Sequence, residues 1–306
     1  MRALASLLIT GLFCLSAASA RAASGYGEDA LGNLYRIDLS AHAATSLGGA
    51  GYYGSQPIVD VTGLSAWDGS MFAVSDGIKA LLKIDATTGS ASIVGGLGLS
   101  GGGSGQYDSY DFGMAADCNG TFWLSSAVTG QLWRVNPATG ATTLVGALGH
   151  GITGLVARGT TLYGAAGRGD NSFYRIDTAT GAATRIGGFG SGVPAWVDSV
   201  AMSFDDSGTL WAVLNYIPPA PGSSTVPDWS DLATIDPATG HVTIVGPITG
   251  PPALRGVGIR GFSFATSQCP TGFPPTPAAP VDAGWALALL ALLLALAGWR
   301  EHRRSA

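Results

Sequence analysis

The chain reads as an all-β protein, a five-bladed β-propeller, and three observations lead there. One hairpin recurs five times, a looser strand pair precedes most copies, and the two ends of the repeat region are complementary fragments. The hairpin is seen in LYRIDLSAHAATSLGG from Leu34, LLKIDATTGSASIVGG from Leu81 and LWRVNPATGATTLVGA from Leu132. It returns in FYRIDTATGAATRIGG from Phe173 and LATIDPATGHVTIVGP from Leu232. Each copy has a strand of alternating apolar and polar residues, an Asp or Asn, a Thr/Gly turn, and a second strand ending at glycine. The Asp/Asn positions (Asp38, Asp85, Asn136, Asp177, Asp236) suit a side chain that bonds its own turn backbone. In most copies a glycine follows, which takes the positive φ that such turns need.

The looser pair appears as TGLSAWDGSMFAV from Thr62, FGMAADCNGTFWL from Phe112, ITGLVARGTTLYG from Ile152 and SVAMSFDDSGTLW from Ser199. Four strands per unit, repeated every 40–60 residues or so, is the pattern of propeller blades. The first unit, from Tyr26, lacks an innermost strand, and GIRGFSFAT from Gly258 supplies one. Joined, they close the ring and remove the exposed sheet edges of an open array. Strands hidden in the long inserts would raise the count to six.

Composition narrows the function classes. Only 11% of residues are charged, the net charge is −5, and Lys79 and Lys83 are the only lysines. No basic patch offers itself to nucleic acid, so none is expected as a partner. Forty-seven glycines with abundant Thr, Ser and Val favour short strands and tight turns over helices.

The ends read as targeting segments. Residues 1–22 have a basic start, an apolar run from Leu4 to Leu15 and small residues before Ala20 and Ala22, as a signal peptide does. Cys14 then belongs to the discarded piece. The expected organisation is a signal peptide over 1–22, the propeller over 24–267, a Pro-rich linker over 268–283, an apolar membrane or sorting helix over 284–299 and a basic cytoplasmic tail over 300–306. The arginines after the apolar run fit the positive-inside rule.

The tail resembles bacterial C-terminal sorting signals of the "IPTL" type. Pro280 and Trp285 stand at that signal's spacing, an Ala/Leu run follows, and Arg303 and Arg304 close it. Val281-Asp282-Ala283 departs from the usual residues. The resemblance covers about 27 residues and implies a sorting protease as a partner; a plain membrane anchor is the alternative. The hairpin repeat in turn resembles the blades of bacterial extracellular propellers of the quinoprotein-dehydrogenase-like and YVTN types. That resemblance implies a fold and does not choose among activities.

Blade topology sorts the polar residues. The Asp residues of the hairpin turns, with Asp68, Asp117, Asp205 and Asp206 between the two inner strands, read as turn formers. Asp29, Asp60, Asp76, Asp108, Asp111, Asp170, Asp198, Asp228 and Asp231 fall on the opposite face. Tyr52, Tyr53, Tyr107, Tyr110, Trp196, Tyr216 and Trp229 share those loops. Asp60, Asp111, Asp198 and Arg260 precede or enter innermost strands, so they are expected to ring the channel mouth, with Tyr110 and Trp196 beside them. Carboxylates beside aromatic rings suit sugars, or Ca²⁺ as the one cofactor in view.

Catalysis has little to draw on. One glutamate, Glu28, and three histidines (His42, His150, His241) lie between the terminal segments. A multi-histidine metal centre is excluded, and a Ser–His–Asp site would rest on His150. The reading is an exported, surface-displayed binding module for a glycan or protein ligand. The alternatives are an extracellular carbohydrate- or lactone-active enzyme and a structural envelope component. Cys118 and Cys269 each follow an innermost strand, so a disulfide between them is the open question for this pair.

Overall fold

The structure is a computed structural model, and it describes residues 24–100, 109–216, 230–251, 254, 257–265 and 269. The signal segment, the linker, the apolar helix and the sorting residues Pro280, Trp285, Arg303 and Arg304 lie outside the described residues. Five four-stranded antiparallel sheets account for nearly all of the described strands. Blade 1 runs β22 (Ile259–Ser263), β1 (Ser24–Asp29), β2 (Asn33–Asp38) and β3 (Ala43–Gly49) from the axis outward. Blade 2 is β6 (Val61–Trp67) to β9 (Ala91–Gly96), and blade 3 is β10 (Phe112–Ala116), β11 (Phe122–Ser126) and two further strands to β13 (Thr142–Ala147). Blade 4 is β14 (Ile152–Arg158), β15 (Thr161–Ala166), β16 (Ser172–Ile176) and β17 (Ala183–Gly188), and blade 5 is β18 (Val197–Phe204) to β21 (Val242–Pro247). A two-stranded hairpin, β4 (Tyr52–Tyr53) with β5 (Gln56–Pro57), projects from the connection between blades 1 and 2. The ring closes as the split first unit requires: β1 pairs with β22 through Tyr26↔Ser263, Gly27↔Phe262 and Glu28↔Gly261.

The repeat's turn chemistry is visible atom by atom. Asp85 Oδ1 accepts from the amides of Thr87 and Thr88, and Asp177 and Asp236 accept in the same way from Ala179 and Ala238. These amides hold the Asp85, Asp177 and Asp236 carboxyls below the usual carboxylate range. At the inner-strand turns Asp117 and Asp205 also bind the indole N–H of Trp123 and Trp211, at 2.9 and 2.8 Å.

The same hairpins lock neighbouring blades together. The penultimate glycines of the outer strands are there for contact: a Cβ on Gly95, Gly146 or Gly187 would overlap the carbonyl oxygen of Thr139, Thr180 or Thr239 in the next blade's turn. A backbone hydrogen bond beside each contact repeats the link, as in Thr142 N to Leu97 O, Ala183 N to Leu148 O and Val242 N to Phe189 O. Between blades 5 and 1 the turn differs, and His42 takes the place of the Thr-Gly pair, with Gly246 against its ring. Because the obstacle is backbone, Gly146→Ala forces blades 3 and 4 apart. The expected cost is about 2 kcal/mol, read as a lower urea midpoint at unchanged m-value.

Apolar residues between adjacent blades form the core, among them Phe173, Phe189, Phe204 and Leu214 between blades 4 and 5. Near the axis the inner strands approach so closely that side chains are excluded. A Cβ on Gly63 would meet the Met114 amide, and one on Gly154 would overlap Val200 O. What is left between the inner strands is a narrow space of about 10 Å³ lined by Gly63, Gly113, Gly154, Met202 and Phe262, with a recess toward each end.

One recess is sealed. Cys118 and Cys269 are joined by a disulfide with Cα atoms 5.3 Å apart. Cys118 belongs to the β10–β11 turn of blade 3, while Cys269 follows β22 of blade 1, so the link crosses beneath the axis. Both cysteines line a cavity of about 30 Å³ walled by Ser65, Ala116, Ala157 and Ser203 from the inner strands of blades 2 to 5.

Candidate functional site

The opposite recess is built by residues that enter or precede the inner strands. Asp60 and Asp111 occupy matching places just before β6 and β10, both with left-handed backbone (φ 51° and 50°). Asp tolerates that region better than most residues, which lets the chain turn sharply into each inner strand. Their carbonyls accept from the amides of Asp76 and Ala127, so the turn is anchored to the second strand of the same blade. Asp198 lies within β18 and is buried, and Arg260 is the second residue of β22.

A residue that the sequence did not single out ties these together. Arg168, in the β15–β16 loop, donates Nε to Asp198 Oδ1 at 2.9 Å and Nη2 to Asp111 Oδ2 at 2.5 Å. Gly167 places it there: its Cα lies against the Asp198 backbone, where a Cβ would overlap Asp198 O. Burial works against the charged guanidinium, but Asp198 and Asp111 outweigh it and raise the Arg168 pKa. Arg260 faces the same two carboxylates at longer range, Nη1 to Asp111 Oδ1 at 3.8 Å and Nη2 to Asp198 Oδ2 at 3.7 Å. Two arginines thus clamp two aspartates contributed by blades 3 and 5.

Asp76 is committed elsewhere. It pairs with Lys79 at 2.8 Å and accepts from Ser109 Oγ and the amides of Tyr110 and Asp111. Asp60 makes no side-chain hydrogen bond among the described residues. Burial first, then the Asp76 charge, raises its pKa against the opposing pull of Arg260. The small cavity at the mouth, about 10 Å³, is lined by Thr62, Asp111, Phe112, Thr153, Ser199 and the two arginines. Arg260 Nε and Thr62 Oγ1 are buried without a hydrogen-bond partner.

Of the residues expected at the mouth, Asp111, Asp198 and Arg260 converge, and Asp60 stands beside them electrostatically. Tyr110 does not belong there. Its ring is 3% exposed and stacks on Phe112 at 5.1 Å in the core between blades 2 and 3, because it continues the inward alternation of β10. Trp196 is exposed, in the connection leading to Asp198, and Tyr52 and Tyr53 are exposed on the β4–β5 hairpin. Asp29 is on this face but spends its carboxylate on Asn33, Tyr35 and the Leu31 amide. Tyr107, Asp108, Asp228 and Trp229 lie outside the described residues. Among the described residues no three His, Cys, Asp or Glu side chains stand together to hold a metal ion, because the arginines intervene.

A second polar cluster sits nearer the rim. His150 Nδ1 is 3.0 Å from Tyr174 Oη and 3.3 Å from Asp170 Oδ2, and Tyr174 Oη bonds both Asp170 oxygens at 2.7–2.8 Å. Burial would raise the Asp170 pKa, but hydrogen bonds from Tyr174, Ser172 and His150 prevail and lower it. Burial, and then the hydrogen bond to Asp170, push Tyr174 up to about 12.

No family model matches the chain, and no curated protein is similar to it in sequence. Solved structures do share its form. A chain in the crystal structure of a nidogen/laminin complex superposes with a TM-score of 0.50 at 13% identity, covering 80% of this chain and 99% of that one. A streptogramin B lyase structure matches with a TM-score of 0.43 at 14% identity, over 77% and 72% of the two chains. The hydrazine synthase of Kuenenia stuttgartiensis matches at 0.39 and 16% identity over 64% of this chain, which spans about half (53%) of that one. At such identities the first of these likenesses carries the fold alone: the protein is a β-propeller.

Proposed function

We propose that the protein is an exported, surface-displayed binding module whose ligand docks at the open channel mouth, without chemistry being done on it. The observation that supports this reading most is the double clamp of Arg168 and Arg260 on Asp111 and Asp198. It gathers directional donors and acceptors from separate blades at the one recess not covered by the disulfide, as a preorganised recognition site does. Both carboxylates share one guanidinium, which suits fixed recognition better than an acid–base pair whose members need contrasting environments.

The His150–Asp170–Tyr174 cluster favours the enzyme reading as the second one. With Nδ1 directed at Asp170 and Tyr174, Nε2 is the ring nitrogen left for a proton acceptor. One experiment addresses both. The uniformly labelled protein is titrated with a chemically mixed fragment set of saccharides, amino acids, carboxylates, amines and simple esters, followed by amide and arginine side-chain NMR. The expected result is shifts concentrated at Thr62, Asp111, Arg168 and Arg260 with every fragment recovered intact. Conversion of an ester fragment, abolished by His150→Ala, would move the assignment to catalysis. Shifts confined to other surfaces would remove the mouth as the site.

A further inference from the structure

From the unspent polar atoms of the mouth we infer that its ligand is a saccharide, held by a pair of neighbouring hydroxyls between Asp60 and Arg260. This deepens the binding reading above and rests on it. The clamp uses up Asp111, Asp198 and Arg168, and Lys79 uses up Asp76, which leaves a short inventory. Asp60, two residues before Thr62 and beside the cavity lining, feels the charges of Arg260 and Asp111 and offers a carboxylate with no side-chain hydrogen bond among the described residues. Arg260 offers Nε, buried and unpartnered, with its Nη atoms 3.7–3.8 Å from the aspartates. Thr62, 6% exposed and lining the same cavity, offers Oγ1, also unpartnered. A buried polar atom left unpaired in a native fold calls for a partner, and here one donor and one acceptor are unpaired at one recess.

Charge decides among ligand classes. Three aspartates (Asp60, Asp111, Asp198) face two arginines, so the mouth carries one excess negative charge and disfavours an anion. A cation would meet the free Arg260 donor, and the arginines separate the carboxylates a divalent ion would need. A neutral diol satisfies every free group: one hydroxyl donates to the Asp60 carboxylate while the adjacent oxygen accepts from Arg260, and a hydroxyl hydrogen reaches Thr62 Oγ1. The cavity of about 10 Å³ has room for one oxygen-sized group, so a sugar inserts an edge and leaves its rings outside. The exposed rings of Tyr52 and Tyr53 lie on the connection that ends at Asp60, and that of Trp196 on the one that leads to Asp198. Aromatic faces there suit the C–H faces of pyranose rings.

Asp60→Asn tests this with little risk to the fold, because Asn favours the left-handed backbone of that position and the lost oxygen has no hydrogen-bond partner. The full chain, wild type and Asp60→Asn, is probed on an array of soluble bacterial, plant and animal oligosaccharides. Bound species are then titrated calorimetrically beside their O-methylated forms. The expected result is a saccharide whose affinity falls about ten-fold or more in Asp60→Asn, at an unchanged melting temperature, and which is not bound when methylated. Absence of any bound saccharide on the array, or affinity indifferent to Asp60→Asn, overturns the inference. If fragments other than sugars still shift the mouth resonances, the binding reading survives and only the saccharide is lost.

Discussion

Replacing Glu28 with glutamine is expected to stabilise the protein at neutral and alkaline pH and to leave it almost unchanged near pH 4. Glu28 lies on β1 opposite Gly261 of β22 and Leu34 of β2, completely buried, and neither carboxyl oxygen has a hydrogen-bond partner. Tyr26, two residues earlier on the same face, packs among Val61 and Leu64, so Glu28 looks toward blade 2. In blade 3 the matching place, opposite Gly113, holds Ser125, whose hydroxyl reaches Ile152 O of the next blade at 3.1 Å. A carboxyl there is tolerable only with its proton: burial, reinforced by the Asp29 charge, raises its pKa from 4.5 to about 8. The sign follows. Below pH 4.5 folded and unfolded chains both carry the proton and nothing is lost. Between about 4.5 and 8 the unfolded chain releases it while the folded chain keeps it, so stability falls throughout that window. At about 1.4 kcal/mol per unit, the full penalty reached above pH 8 is at most about 5 kcal/mol. The Glu28→Gln minus wild-type difference in unfolding free energy should therefore climb from about zero at pH 4 to several kcal/mol at pH 8.5. The acidic turn residues titrate alike in both proteins and cancel. A flat difference curve would mean that water reaches the carboxylate.

Loss of the Cys118–Cys269 bridge should be comparably costly. The two residues are 151 apart in sequence, so the link removes a long loop's freedom from the unfolded chain. The chain-entropy argument gives about 5 kcal/mol for a loop of that size, with measured bridges commonly delivering about 2–4. For a domain of this length that corresponds to roughly 10 °C in melting temperature. Cys118→Ser with Cys269→Ser should show this loss, and reductant should reproduce it in wild type but leave the double variant unaffected. The damage should concentrate at β22, the strand that closes the ring, and amide exchange should accelerate there first. Uniformly faster exchange would mean that the pairing of β1 with β22 holds the ring shut by itself.

The fold was legible because the repeat encodes local chemistry that tolerates little substitution. An Asx turn at Asp85 or Asp236 leaves nearly the same residues in four of the five copies, and the split blade could be reassembled from its complementary ends. The mouth was legible only where the repeat frame reached it, at Asp60, Asp111, Asp198 and Arg260. Arg168 escaped because the sequence of the β15–β16 loop, GRGDN, is not repeated in the matching loops of the other blades. Its available signal was a lone arginine between Gly167 and Gly169 in a chain poor in basic residues. Tyr110 was misplaced because the strand's inward alternation continues two residues beyond its hydrogen-bonded limit. The cysteine pairing depended on where the chain runs after β22, and no periodicity describes that stretch.

The strand directions around the ring closure bear on how the molecule is presented. β22 starts at the mouth with Arg260 and descends to Ser263, while β1 begins beside it with Tyr26 opposite Ser263 and climbs away. The first described strand therefore starts, and the last one finishes, on the disulfide side, and Cys269 is fastened beneath the axis. A tether fastened to the chain just after Cys269 would start from the disulfide face. A tether acting through that point pulls along the propeller's axis and not across its rim, so force would load the Cys118 link before it reached a blade. It would also hold the clamp of Arg168 and Arg260 facing outward, at the far pole from the attachment.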